Sequence, residues 1–208
     1  MEFQEFKKIP RLSREISITE KIDGTNAQVF IATIEMLREE LSTNSLNSWF
    51  EQYTLAKIEK NERNYYVFAG SKKRWLDITS KGDNYGFAKW VQANAKELLN
   101  LGEGRHYGEW YGKGIQRGYG LDEKRFALFN VGRWNEENKS KCCEVVPILY
   151  QGPFDTDMIY SILKSLEVFG SKIAPHFMNP EGVIIYHTAS GQLFKKTILN
   201  DEKPKGQE

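Results

Sequence analysis

Glu20-Lys21-Ile22-Asp23-Gly24-Thr25-Asn26 places a lysine, an acid and a glycine at K-x-D-G spacing. A lysine amine so placed can attack a nucleotide phosphate and stay close to the product. Gly24 would let the backbone approach phosphate oxygens with no Cβ in the way. The chemistry demands a neutral amine. A free lysine titrates near about 10.4, so at neutral pH only roughly one in a thousand is unprotonated. Bringing the amine to neutrality costs about 4 kcal/mol of charge stabilisation, which burial or nearby cations supply. The same spacing also suits an exposed lysine before an ordinary D-G turn, so the rest of the chain must decide.

Five further pieces follow in order. Ala69-Gly70-Ser71-Lys72-Lys73-Arg74 ends an apolar strand in cations, and Tyr107-Gly108-Glu109-Trp110-Tyr111-Gly112 sets one carboxylate among aromatics and glycines. Phe126-Ala127-Leu128-Phe129-Asn130-Val131 reads as a strand with an aromatic near its end. Pro180-Glu181-Gly182-Val183-Ile184-Ile185 puts an acid at the mouth of a buried strand, and Leu193-Phe194-Lys195-Lys196 ends another in lysines. This ordered set, running from about residue 20 to 197, resembles motifs I, Ia, III, IIIa, IV and V of the covalent nucleotidyltransferase superfamily. Its wording is most similar to the ATP-dependent RNA ligase branch (RNA ligase 2 and the RNA-editing ligases), where an asparagine follows the G-T pair.

The resemblance implies an ATP-dependent polynucleotide ligase. Lys21 would attack the α-phosphorus of ATP and carry AMP, with Mg²⁺ or Mn²⁺ as metal. The nucleotide-binding set would be Glu20, Ile22, Asn26, Arg74, Glu109, Phe129, Lys195 and Lys196. Within it, Glu20 would lie near the adenine, Glu109 would accept from a ribose hydroxyl, Phe129 would stack on the base and Arg74 would meet a phosphate. Glu181 would bind the metal, directly or through water. By composition alone Phe129 would be core and Arg74 a solvated cation.

Three features depart from the family pattern. Asn130 stands where an aspartate usually follows the stacking ring. Motif V has adjacent lysines instead of K-x-K, and neighbours on a strand point to opposite faces, so one of the two enters the cleft, with Lys195 favoured. Motif V lies about ten residues before the last residue, so the reading expects no C-terminal OB or RNA-ligase accessory domain, a role a partner protein could fill. The implied partner is RNA, with DNA second. The alternatives are a small DNA ligase and a catalytically idle nucleotide- or nucleic-acid-binding module.

Elements must hold these residues. Strands are predicted near 16–21, 27–33, 64–69, 104–111, 125–131, 144–149, 182–187 and 192–197 from β-favouring composition. Thr188-Ala189-Ser190-Gly191 is a hairpin signal between the last two. A helix is predicted over 83–101, with Asp83 as N-cap and Gly102 beyond its end, and another over 155–169 before Gly170. Residues 35–60 carry weak helical periodicity through Trp49, Phe50, Tyr53 and Leu55. The fold class is α+β, a nucleotidyltransferase (ATP-grasp-like ligase adenylation) domain over 1–199 with mainly antiparallel sheets and flanking helices. A charged tail, 200–208, is predicted to be disordered.

Gly112-Lys113-Gly114-Ile115-Gln116-Arg117-Gly118-Tyr119-Gly120 reads as a mobile basic loop able to touch phosphates. It is not a Walker loop, because the G-K-[ST] ending is absent. His106, His176 and His187 lack ligand spacing and read as structural. The 208 residues, 40% apolar and 27% charged, suit a globular chain with a real core. Nothing approaches a membrane span, and the N-terminus is no signal peptide. Adjacent Cys142 and Cys143 favour a reducing cytoplasm, cellular or that of an infected host. A net charge of +1 gives no global attraction to nucleic acid, so any binding must use local clusters.

Overall fold

Alternation along Glu15–Lys21 sets up the first sheet: Ile16, Ile18 and Glu20 share one face, while Ser17, Thr19 and Lys21 share the other. The computed structural model describes residues 1–40, 43–199 and 201. Apart from Asp201, the predicted disordered tail lies outside them. The chain divides into two units, one of Met1–Ile22 with Pro147–Glu208 and the other of Asp23–Val146. The boundaries fall inside the K-x-D-G motif and between Val146 and Pro147.

The first unit holds an antiparallel sheet in the order β11-β10-β1-β9, where β1 is Glu15–Lys21, β9 Ile148–Pro153, β10 Gly182–His187 and β11 Gln192–Thr197. Helix α5 (Thr156–Phe169) covers one face. Asp155 caps it by accepting from the Asp157 and Met158 amides, and Gly170 ends it at φ 79°. Ile159, Ile162, Leu163 and Leu166 pack on Ile16, Ile18, Val183 and Ile185. Each such burial contributes about 1.5–3 kcal/mol relative to exposure.

The second unit is built on a seven-stranded sheet in the order β3-β4-β2-β6-β7-β8, with β5 on β4. Its strands are β2 Thr25–Ala32, β3 Ala56–Lys60, β4 Arg63–Ser71, β5 Trp75–Leu76, β6 Gly104–Gly112, β7 Lys124–Leu128 and β8 Glu144–Val145. All pairings are antiparallel except β7 with β8. Strand β2 is apolar on both sides because both faces are covered. Val29 and Ile31 join a core with Phe87, Val91 and Leu98 from helices α3 (Phe87–Ala93) and α4 (Ala95–Leu98). Phe30 and Ala32 face Leu37, Trp49, Phe50 and Tyr53 from α1 (Ile34–Glu40) and α2 (Thr43–Tyr53).

The helix predicted over 83–101 is therefore broken, with α3 and α4 meeting at Asn94 and a 3₁₀ turn at Leu99–Leu101. Asp83 still serves its start from a distance, since its carboxylate accepts from the Ala88 and Lys89 amides. The described residues between 35 and 60 include α1 and α2, which pack on the sheet, and β3, which is its edge strand. The stretch predicted as one strand over 144–149 is split between the two units as β8 and β9.

Candidate active site

Lys21 closes β1 opposite Gly182 of β10, and its Nζ donates to the carboxylate of Glu181, the residue before Gly182. Glu181 is 5% exposed, and its carbonyl accepts from the Ile198 amide at 3.0 Å. Gly182 sits at φ 153°, where a Cβ would lie 2.2 Å from the Lys196 carbonyl oxygen. Only glycine lets β11 lie this close to the strand that positions Glu181.

Register separates the adjacent lysines. Lys195 pairs with Ile184, which pairs with Thr19, so Lys195 shares the face of Thr19 and Lys21. Lys196 pairs with core residue Val183 and lies on the α5 face. There its Nζ bonds Asp201 at 2.8 Å and sits 5.2 Å from the Tyr160 ring centre. Lys196, expected at the nucleotide, is thus set on the other side of the sheet from Lys21.

Glu20 also points to the helix side and is 1% exposed. Its carboxylate accepts from Ser171 Oγ at 2.6 Å and from the Lys172 and Ile173 amides at 2.7 and 3.2 Å. Burial pushes its pKa up, against the lowering effect of these bonds and of the Lys172 charge. Glu20, expected near the adenine, anchors the turn after α5. Ile22 is buried in the first unit, 4% exposed.

In the second unit, Asn26 of β2 lies opposite Glu109 of β6. Glu109 Oε1 accepts from the Gly24 amide at 3.1 Å and Oε2 from Asn26 Nδ2 at 3.0 Å. A Cβ on Gly24 would meet the Trp110 carbonyl oxygen at 2.4 Å, so this glycine is needed for close packing on β6. The Asp23 amide donates to Tyr119 Oη at 2.8 Å, and Arg117 Nε donates to Asp23 Oδ2 at 3.0 Å. The loop read as a mobile phosphate binder is anchored: Ile115 and Tyr119 are buried, and Arg117 holds the motif's own acid. Arg74 donates to the Gly82 and Asp83 carbonyls. The Phe129 ring is 40% exposed just beyond β7, outside the core. Asn130 Oδ1 accepts from the Arg133 amide at 3.1 Å, so the residue in the aspartate's place caps a turn.

A family model described as RNA ligase matches residues 14–197, nearly the whole chain and all six motifs. The chain belongs to the RNA ligase family. No curated protein sequence matches it significantly. Among solved structures, a lysine mutant of the Naegleria gruberi RNA ligase with AMP and Mn is similar at TM-score 0.53 and 14% identity, covering 89% of this chain and 50% of that one. A glutamate mutant of the same ligase with ATP and Mn gives 0.52 and 14%, again over 89% and 50%. The form with pyrophosphate gives 0.50 and 15%, over the same shares. At such identities the likeness carries the fold, an α+β arrangement of mainly antiparallel sheets. The chain spans about half the length of that ligase.

For this RNA ligase family member, motif order was readable in sequence but several partners were not. Asp23–Arg117 and Glu20–Ser171 join residues 94 and 151 positions apart. Only Glu20 gave a hint, since it falls on the apolar side of the alternation that carries Ile16 and Ile18. His106 and His187 bond backbone carbonyls of Gly102 and Leu12, which agrees with structural roles. Among the described residues, no helix is long and apolar enough to cross a membrane.

Proposed function

We propose that the chain is an ATP-dependent RNA ligase whose residues 1–199 act as the adenylation domain. Lys21 Nζ attacks the α-phosphorus of ATP; a P–N bond forms, the bond to the bridging oxygen breaks, and pyrophosphate leaves. AMP then passes to an RNA 5′-phosphate, and a 3′-hydroxyl displaces it to seal the strand. The observation that carries this reading is Lys21 bonded to Glu181 across paired strand ends, with Lys195 on the same face, in a family whose model spans all three.

The side chains suit the nucleotide. Phe129 offers an exposed ring for the adenine, and Glu109 a buried carboxylate for a ribose hydroxyl. Lys195 stabilises negative charge developing on phosphate oxygens. Glu181 offers the hard carboxylate oxygen that Mg²⁺ or Mn²⁺ takes, with waters completing the shell. When bound, the ion neutralises phosphate charge. Adjacent Cys142 and Cys143 suit a reducing cytoplasm.

The test is sealing itself. Wild type with ATP and Mg²⁺ should convert a 5′-phosphorylated RNA first to its adenylylated form and then to a joined product, and Lys21→Ala should give neither. Joining by the variant, or joining of DNA in place of RNA, would overturn this assignment.

A further inference from the structure

The segment Ser71–Lys89 holds Lys72, Lys73, Arg74, Lys81 and Lys89 against two acids, Asp77 and Asp83. Both carboxylates are engaged with backbone: Asp77 accepts from the Thr79 amide, and Asp83 from the Asn84 and Ala88 amides. The cations Lys72, Lys73 and Lys81 are exposed. Arg74 draws the two halves of the segment together through the Gly82 and Asp83 carbonyls, and Thr79 accepts from the Gly82 and Asp83 amides. The surface is therefore positive and held in one shape.

Tyr85 stands at its end, 49% exposed and at φ 51°, a region that bulky side chains seldom enter. Three bonds hold that strained turn in place. Asn84 Nδ2 donates to Thr25 Oγ1 at 3.0 Å, and Trp110 Nε1 and Lys124 Nζ donate to the Tyr85 carbonyl at 3.3 and 2.7 Å. The turn thus attaches to motif I through Thr25. An exposed aromatic ring on a turn held by these bonds, in a segment that also carries the exposed Lys72, Lys73 and Lys81, supplies what single-stranded nucleic acid requires, a stacking platform for a base and ammonium groups for its phosphates.

We infer that the 71–89 surface binds single-stranded RNA, with Tyr85 stacking on a base and Lys72, Lys73 and Lys81 contacting the phosphate backbone. This rests on the RNA ligase reading for the identity of the polynucleotide and extends it to a binding surface outside the nucleotide site.

The test is fluorescence anisotropy of a labelled single-stranded RNA against wild type, Tyr85→Gly, Tyr85→Phe and the triple variant Lys72→Ala/Lys73→Ala/Lys81→Ala. Tyr85→Gly relieves the backbone strain, so it should melt no lower than wild type yet bind about 5- to 150-fold more weakly. Tyr85→Phe should bind as wild type. The triple variant should bind more weakly, and its plot of log affinity against log salt should be shallower by about 2. Covalent AMP loading should stay at the wild-type level in all three variants. RNA binding within twofold of wild type in Tyr85→Gly and the triple variant, or no RNA binding by wild type, would overturn the surface. Failure of wild type to load AMP would instead count against the ligase reading, and the anisotropy would still decide the surface.

Discussion

Arg117 reaches back 94 positions to hold Asp23, and through it the turn that follows Lys21. The side chains are 24% and 14% exposed, sheltered enough for a charged hydrogen bond to contribute about 1.5–3 kcal/mol. Arg117→Ala should therefore slow AMP loading about tenfold or more and lower the melting temperature by roughly 3–12 °C, as single-turnover kinetics and calorimetry would show. An unchanged rate would mean that Asp23 needs no such support. Glu20 makes a separate, pH-dependent prediction. Burial raises its folded pKa above the unfolded value of 4.5, so the fold binds its proton more readily than the unfolded chain does. That contribution is present below about pH 4.5 and is lost as pH rises through the folded value. The stability of wild type relative to Glu20→Gln should thus fall as pH rises, measured by urea unfolding at stepped pH; a constant difference would contradict the role of burial.

Elements with local signals were legible in the sequence. Asp155 and Gly170 bracket α5, and Gly191 closes the hairpin whose strands β10 and β11 appear as predicted. Elements defined by distant partners were not. Strands β3 and β5 are short, lie at or near a sheet edge, and owe their pairing to β4; the break at Asn94 lies within an unbroken apolar periodicity. Gly182 shows what the β10–β11 pairing demands. Gly182→Ala should push β11 from β10 and cost about 1–3 kcal/mol, read as a lower denaturation midpoint. A neutral result would mean that the backbone can yield at that point. His106 joins β6 to the end of the 3₁₀ turn through Gly102, and burial, followed by the Arg133 charge, opposes its protonation. Its lowered pKa stabilises the fold above about pH 6.5, and this is lost as pH falls. His106→Gln should flatten that part of the stability profile.

At the scale of the whole molecule, the six motifs fall on two compact units, with Lys21, Glu181 and Lys195 on one and Asn26, Glu109 and Phe129 on the other. Motif order and residue type sufficed to read the family, because each motif is a short run around a strand end. Side-chain direction was less legible. Lys195 and Lys196 look alike in sequence, and only the β1–β10–β11 register separates them; Glu20 and Lys21 are split the same way. The central claim is that Lys21 carries AMP. The most direct test is the intact mass of the protein after incubation with ATP and Mg²⁺, without nucleic acid, beside Lys21→Ala. Wild type should gain one covalent adenylate and the variant none. An adduct on the variant, or none on wild type freed of bound AMP, would contradict the account.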